Sequence, residues 1–276
     1  MIKSMDNVQY SDPIKIADGI YWVGFADSRA GLHCNPYLII DGDEAVVIDS
    51  GSRDEFSSVM LKILRTGLEP SKIKRLIYQH FDPDLCGNIP HFEAIIDNDN
   101  LKIISHKENN IFINYYSSKS PKLCIESLNY EYKFSSGRVL KFIRTPYSHS
   151  PGSFITYDCK TKTLFTSDIF GSYDTNWTLY RHLDYECHTC KPKRSCDIDN
   201  KECRLYGILK FHELVMNSSK ALRYALDEIE KLDINLIAPQ HGSLIDIEID
   251  FITIMNQLRA LENIGFDHFL SVNDKS

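Results

Sequence analysis

The stretch that decides the fold is Tyr78-Gln79-His80-Phe81-Asp82-Pro83-Asp84-Leu85-Cys86-Gly87. It follows the apolar run Leu76-Ile77-Tyr78, which reads as a buried strand, and Gly87-Asn88 then opens a predicted helix. His80, Asp82 and Asp84 alternate on a backbone expected to be extended, with Pro83 fixing the bend, so three potential ligand heads converge beyond the strand end. Alone, a His-x-Asp-x-Asp run is more often a solvated loop than a site.

Three later stretches answer it. Ser148-His149-Ser150-Pro151-Gly152, Phe165-Thr166-Ser167-Asp168 and Ala238-Pro239-Gln240-His241-Gly242 each place one His or Asp at the end of an apolar or β-prone run, with small residues beside it. Singly, each is more often a turn His or a capping Asp. Together they make a set of His80, Asp82, Asp84, His149, Asp168 and His241.

The order and spacing of these stretches resemble the metallo-β-lactamase fold family, and within it the diiron domain of flavodiiron proteins. The likeness runs from Ala17-Asp18-Gly19-Ile20-Tyr21-Trp22-Val23-Gly24 through Asn35-Pro36-Tyr37-Leu38-Ile39-Ile40 and Val46-Val47-Ile48-Asp49-Ser50-Gly51 to His241-Gly242. Hydrolases of this fold usually carry His-x-His-x-Asp-His, whereas Asp82 replaces the second His here and Leu85 the last. Flavodiiron proteins have a carboxylate, normally Glu, at the first of these places. Asp82 is one methylene shorter. The resemblance implies an α/β fold, a metallo-β-lactamase αββα sandwich of two mixed β-sheets flanked by helices. One domain is expected over 1–276, with a Cys-rich insert at about 184–204 and no flavodoxin domain.

Three imidazoles and three carboxylates form an oxygen-rich donor set, which suits a pair of iron ions, with manganese or zinc as alternatives. His80, Asp82 and His149 are assigned to one metal, Asp84 and His241 to the other, and Asp168 to the bridge. The second metal then has three protein ligands, leaving room for solvent and for O2 or NO. Asp49, at a strand end, either caps the following turn or orients a ligand His from behind, as the resemblance implies. His33, Phe81, Tyr173, Tyr180 and His182 are candidates for lining the pocket, against the commoner fate of packing or surface.

The 276 residues, 43% of them hydrophobic, can bury a substantial core. The net charge of −7 argues against a nucleic-acid partner. No apolar run approaches the roughly 20 residues of a membrane span, and Met1-Ile2-Lys3-Ser4-Met5-Asp6 lacks the apolar core of a signal peptide. A cytoplasmic protein with no membrane partner is expected.

In chain order, residues 1–16 read as a loose lead-in. Strands are predicted at 20–23, 37–40, 45–48, 75–78, 101–104, 130–134, 139–144, 154–157, 163–165 and 236–238. Helices are predicted at 54–66, 89–96, 107–116, 218–231 and 249–264.

Between Asp168 and His241 stands a Cys-x2-Cys-x5-Cys-x6-Cys run, Cys187, Cys190, Cys196 and Cys203, with almost no apolar side chains around it. A structural zinc site is the favoured expectation. An iron–sulfur cluster, reduced thiols or a redox-switched disulfide are the alternatives. Cys34, Cys86, Cys124 and Cys159 are scattered and read as small buried hydrophobes.

Flavodiiron proteins carry a flavodoxin domain after the metal domain, and its flavin delivers electrons to O2 or NO. Here only Gly242 to Ser276 follow the last ligand, and no Gly-rich phosphate loop is present, so no FMN is expected in the chain. The resemblance therefore implies a non-heme diiron protein that binds, senses or reduces O2 or NO. As a reductase it would need an external redox donor; as a sensor, a signalling output domain. A homodimer is common in the family. The alternative is a dinuclear hydrolase of a lactone, thioester or phosphoester, in which metal-bound hydroxide is the nucleophile. Asp82 and Leu85 stand against it.

Overall fold

The run Ala45-Val46-Val47-Ile48 is buried at every position, as a strand covered on both faces must be. In the computed structural model it lies in β4 (Glu44–Ile48), between antiparallel β3 (Tyr37–Asp41) and parallel β5 (Ile73–Ile77). The structure describes residues 9–25, 32–96, 98–116, 119–174, 177–183, 187, 189–192 and 203–273.

β1 (Ile14–Ala17) and β2 (Ile20–Trp22) extend this sheet on one side, and β6 (Lys102–Ser105) and β7 (Lys122–Cys124) on the other, in sequential order. The second sheet contains β8 (Glu131–Lys133), β9 (Val139–Arg144), β10 (Phe154–Asp158), β11 (Thr163–Phe165), β12 (Leu236–Ala238) and β13 (Ile245–Asp246). Its pairs are antiparallel except for β11 with β12.

Alternation along the strands builds the layers, because successive side chains leave opposite faces. Ile39, Val46, Ile48, Ile77 and Ile104 meet Leu140, Phe142, Phe154 and Phe165 in the core between the sheets. Their neighbours Leu38, Val47, Leu76 and Ile103 face outward against Val59, Met60 and Ile63 of α1 (Phe56–Arg65) and Ile89 and Phe92 of α3 (Ile89–Ile96). On the far side, Ile155, Leu164 and Ile237 pack on α5 (Arg204–Val215), α6 (Ser219–Glu230) and α7 (Phe251–Arg259). Each fully buried Ile, Leu or Phe contributes about 1.5–3 kcal/mol. The result is the expected αββα sandwich of two mixed sheets.

Several expectations need correction. Ile14–Ala17 is a strand within the supposed lead-in, and α5 and the C-terminal α8 (Phe266–Asn273) were not foreseen. The predicted helix at 107–116 divides into α4 (Lys107–Ile113) and a 3-10 turn, Asn114–Tyr116. Most consequential is α2 (Pro83–Cys86), which begins before Gly87. Asp82 is its extended N-cap, with φ −69° and ψ 155°, and Asp84 stands on its first turn. Pro83 is suited to that first helical position because it lacks an N–H that would go unused there.

β4, β5, β11 and β12 end on one edge of the sandwich, where open α/β sheets characteristically place their sites. Phe154 N donates to Gln79 O (3.2 Å), Gln240 N to Ser167 O (2.8 Å) and Asn35 N to Gln240 O (2.8 Å), which laces the loops from both sheets together.

Candidate metal centre

The helical turn at Pro83 sends the two carboxylates of the opening motif apart. Asp82 Oδ2 lies 3.3 Å from His149 Nε2 and 3.8 Å from His80 Nε2, whereas Asp84 Oδ2 lies 3.2 Å from His241 Nε2. Asp168 stands between the two groups. Its Oδ2 is 2.9 Å from His149 Nε2 and 3.8 Å from His80 Nε2, and its Oδ1 faces His241 Nε2 at 3.5 Å. All six side chains named from the sequence thus gather on one edge of the sandwich.

The imidazoles are held from behind. His80 Nδ1 is 2.8 Å from Ser167 Oγ, and His241 Nδ1 is 2.9 Å from His33 O, so each ring turns Nε2 toward the carboxylates. An imidazole that spends Nδ1 on such a contact presents Nε2 to a cation in a fixed orientation. Ser167 adopts φ +54°, a left-handed conformation costing a non-glycine residue about 1–3 kcal/mol. Gly242 follows His241 at φ +83°, and a Cβ there would meet Ser172 Cβ at 2.9 Å, so the turn after that ligand demands glycine.

Electrostatics link the groups. Burial alone would raise the Asp168 carboxyl, but His80, His149 and His241 outweigh it and hold the group below its ordinary range. Burial lowers His149, yet Asp168 and Asp82 bring it up to about 10. His241 is likewise disfavoured as a cation by burial and raised well above its ordinary value, by Asp84 first. These are rings that hold protons where cations would sit. Asp168 Oδ1 is buried and accepts no hydrogen bond, although a carboxylate oxygen out of water needs a partner. Imidazole nitrogens and carboxylate oxygens of this number and arrangement fit a pair of iron ions.

Of the flanking candidates, Asp49 is buried at φ +50° and accepts from Gln79 N (3.1 Å) and Gln79 Nε2 (3.0 Å). It therefore acts on the residue before His80 rather than on a ligand ring. Burial raises its carboxyl to about 8. His33 stacks on Trp177 with ring centres 4.6 Å apart, its Nε2 contacts Asp174 O at 3.1 Å, and its carbonyl meets His241 Nδ1. Phe81 stacks on Phe112 at 4.2 Å, and Tyr173 packs on Phe211 at 5.2 Å. Tyr180 bridges to Leu244, and His182 Nδ1 lies 3.2 Å from Asp250 Oδ2. Leu85 is fully buried in the outer core, so no ligand replaces the missing His there.

Cys196 lies outside the described residues. Cys187 and Cys203 are buried in the α5–α7 core with Cys190 packed against it, and Cys203 Sγ accepts from Tyr206 N at 3.4 Å to cap α5. Among the described residues, groups of three or more metal-ligand atoms within 4.8 Å of one another are His80, His149, Asp168 and Cys34, Asp84, His241. Cys187, Cys190 and Cys203 form no such group. Cys34, read from the sequence as a small hydrophobe, stands instead beside two of the six. Its spacing carries no motif; its one sequence clue is its place next to Asn35, in a segment already matched to the family.

A family model described as ODP family beta lactamase matches residues 32–242. The chain is 26% identical over 251 residues to the flavo-diiron protein FprA2 of Clostridium acetobutylicum, covering 85% of this chain and 58% of that one. It is 25% identical over 246 residues to a nitric oxide reductase of Moorella thermoacetica, covering 84% and 57%. The chain therefore spans a little over half the length of these curated relatives. Among solved structures, the chemotaxis sensor ODP in a peroxy diiron form is 25% identical with TM-score 0.71, covering 94% of this chain and 99% of that one. The apo state of that sensor from T. denticola is also 25% identical, with TM-score 0.72 and coverage of 94% and 97%.

Proposed function

Because the chain belongs to the ODP family of beta-lactamase-like proteins, we propose that it is a non-heme diiron protein that binds O2 or NO as a sensor. The observation that carries this reading is the convergence of six side chains in which Asp168 turns one oxygen to each cluster. His80, Asp82 and His149 would hold one iron, Asp84 and His241 the other, with Asp168 shared. A reduced iron pair supplies the electrons for which O2 or NO is the acceptor. The sensor reading draws support from the match to the ODP family model and from the likeness to the ODP chemotaxis sensor, 25% identical over 94% of this chain.

The chain's own residues set the conditions. Ser167 and the His33 carbonyl orient two rings, and the half-buried Asp82 and Asp84 are the more solvent-exposed carboxylates of the six. Burial of His80, Asp168 and His241 keeps their part of the centre dry, which strengthens every charge interaction there. Among the described residues no helix is long and apolar enough to cross a membrane.

The test is metal analysis after anaerobic purification of the whole chain, followed by absorption spectra before and after O2 or NO. About two irons per chain and a gas-dependent visible change are expected. A colourless zinc protein that cleaves esters would overturn the reading in favour of the hydrolase.

A further inference from the structure

We propose that Cys34 is a thiolate ligand of the iron held by Asp84 and His241, an inference that rests on the diiron reading above. Cys34 is 6% exposed, and its Sγ lies 4.0 Å from Asp84 Oδ2. Its sulfur, one Asp84 oxygen and one His241 nitrogen lie within 4.8 Å of one another. A cysteine that merely fills a core needs apolar neighbours; this one abuts a carboxylate and an imidazole.

The backbone leaves the sulfur little freedom to move away. On one side of Cys34, the His33 carbonyl accepts from His241 Nδ1 at 2.9 Å. On the other, Asn35 N donates to Gln240 O at 2.8 Å, and Asn35 Nδ2 donates to Pro239 O (3.0 Å) and Gly242 O (2.8 Å). Both neighbours of Cys34 are thus fastened to the loop that carries His241. Trp22 Nε1 donates to Asn35 Oδ1 at 2.9 Å, anchoring the segment to β2 as well.

A second observation points into the same space. Asp168 Oδ1 is buried without a hydrogen bond and faces His241 Nε2 at 3.5 Å. With that oxygen, the Asp84–His241 position has four protein donors instead of three: one nitrogen, two oxygens and a sulfur. The His80–His149 position has nitrogen and oxygen donors only. The two irons are therefore chemically unlike, and thiolate donation stabilises the oxidised state of the one beside Cys34.

The step is proton exchange without redox change. The Cys34 S–H bond breaks, its electron pair forms the sulfur–iron bond, and the proton leaves to water past the partly exposed Asp84.

Iron-edge X-ray absorption and visible spectra of the whole loaded chain test the assignment. The wild type should show a sulfur neighbour at about 2.3 Å, the length of a metal–thiolate bond, and a sulfur-to-iron charge-transfer band when oxidised. Both signals should vanish in Cys34→Ser and Cys34→Ala and persist in Cys190→Ser, and circular dichroism with the iron content of the two Cys34 variants separates loss of the sulfur ligand from loss of the fold. About two irons per chain with no sulfur neighbour, or sulfur signals unchanged in the Cys34 variants, overturns the role of Cys34 and leaves the diiron reading standing. A chain that takes up no iron overturns both.

Discussion

Ser167 Oγ lies 2.8 Å from His80 Nδ1, and the carbonyl of the same serine accepts from Gln240 N at 2.8 Å. One residue therefore ties together three ligand loops: its own, ending in Asp168; that of His80; and that of His241. Its left-handed backbone, φ +54°, is the cost of facing both partners at once. Ser167→Ala keeps the carbonyl contact but frees the His80 ring to rotate or change tautomer. Iron affinity should fall about 10–100-fold, as when a hydrogen-bond partner behind a ligand His is removed elsewhere, with the fold retained. Competition with a chelator, alongside circular dichroism, measures the two separately.

A second set of contacts supports the far sheet rather than the metals. Asp250 is fully buried, pairs with Arg204 Nη1 at 2.9 Å and accepts from Leu183 N at 2.8 Å, while Arg204 Nη2 donates to Leu244 O at 3.2 Å. Asp250→Ala strands a buried guanidinium and should cost about 3–5 kcal/mol in urea unfolding. Asp227→Ala removes an exposed partner of Arg259 and should cost less than about 1 kcal/mol. Equal losses in the two variants would show that burial of the first pair is not what makes it matter.

The layers and the six-residue convergence were legible in the sequence because each has a local signature. Val46 and Ile48 alternate with Ala45 and Val47 between two cores, and His80, His149, Asp168 and His241 each follow an apolar run. What stayed hidden depends on contacts distant along the chain. Nothing near Cys34 announces that Asp84 and His241 lie beside it, and nothing near Ser167 announces His80. The Asp82-Pro83-Asp84 run was misread because Pro suits both an extended bend and a first helical turn; the turn separates the two carboxylates between clusters. α5 was missed because its buried Arg204, Gly207 and His212 blur the apolar stripe that marks a surface helix.

The metal-free chain should lose stability as pH rises from about 6.5 to about 10. Burial disfavours protonated His149, yet Asp168 and Asp82 lift it to about 10, above the ordinary 6.5 of a histidine. A raised folded value means the stabilisation is complete below pH 6.5 and disappears as pH passes about 10. Asp49, raised by burial from 3.8 to about 8, acts in the same direction, because the unfolded chain gives up that proton earlier. His212 works at the other end: burial lowers it to about 4, so its contribution is lost as pH falls from 6.5 through about 4. Between about pH 4 and 6.5 Asp49 and His212 oppose each other, so urea midpoints of the metal-free chain should change little there and fall toward alkali. The iron-loaded chain should show a smaller alkaline decline, keeping the share of Asp49, since cations replace the protons on the imidazoles. An alkaline decline of equal size in both forms would dissociate it from the centre.

Loading should also release protons in a countable way. In the metal-free chain Asp168 and Asp82 bring His149 up to about 10, and Asp84 first raises His241 in the same direction, both against the opposing effect of burial. A cation needs the Nε2 lone pair of each, so the protons they hold should leave as the two sites fill. Burial pushes the Cys34 thiol up to about 11, so thiolate ligation releases one more. Calorimetric titration of the metal-free chain with ferrous iron under anaerobic conditions, repeated in buffers of different ionisation enthalpy, yields the proton count as a slope. The expected slope is larger by about one proton in the wild type than in Cys34→Ala. A wild-type slope near zero would mean that neither imidazole exchanges its proton for iron, and equal slopes in the two chains would mean that the sulfur keeps its own.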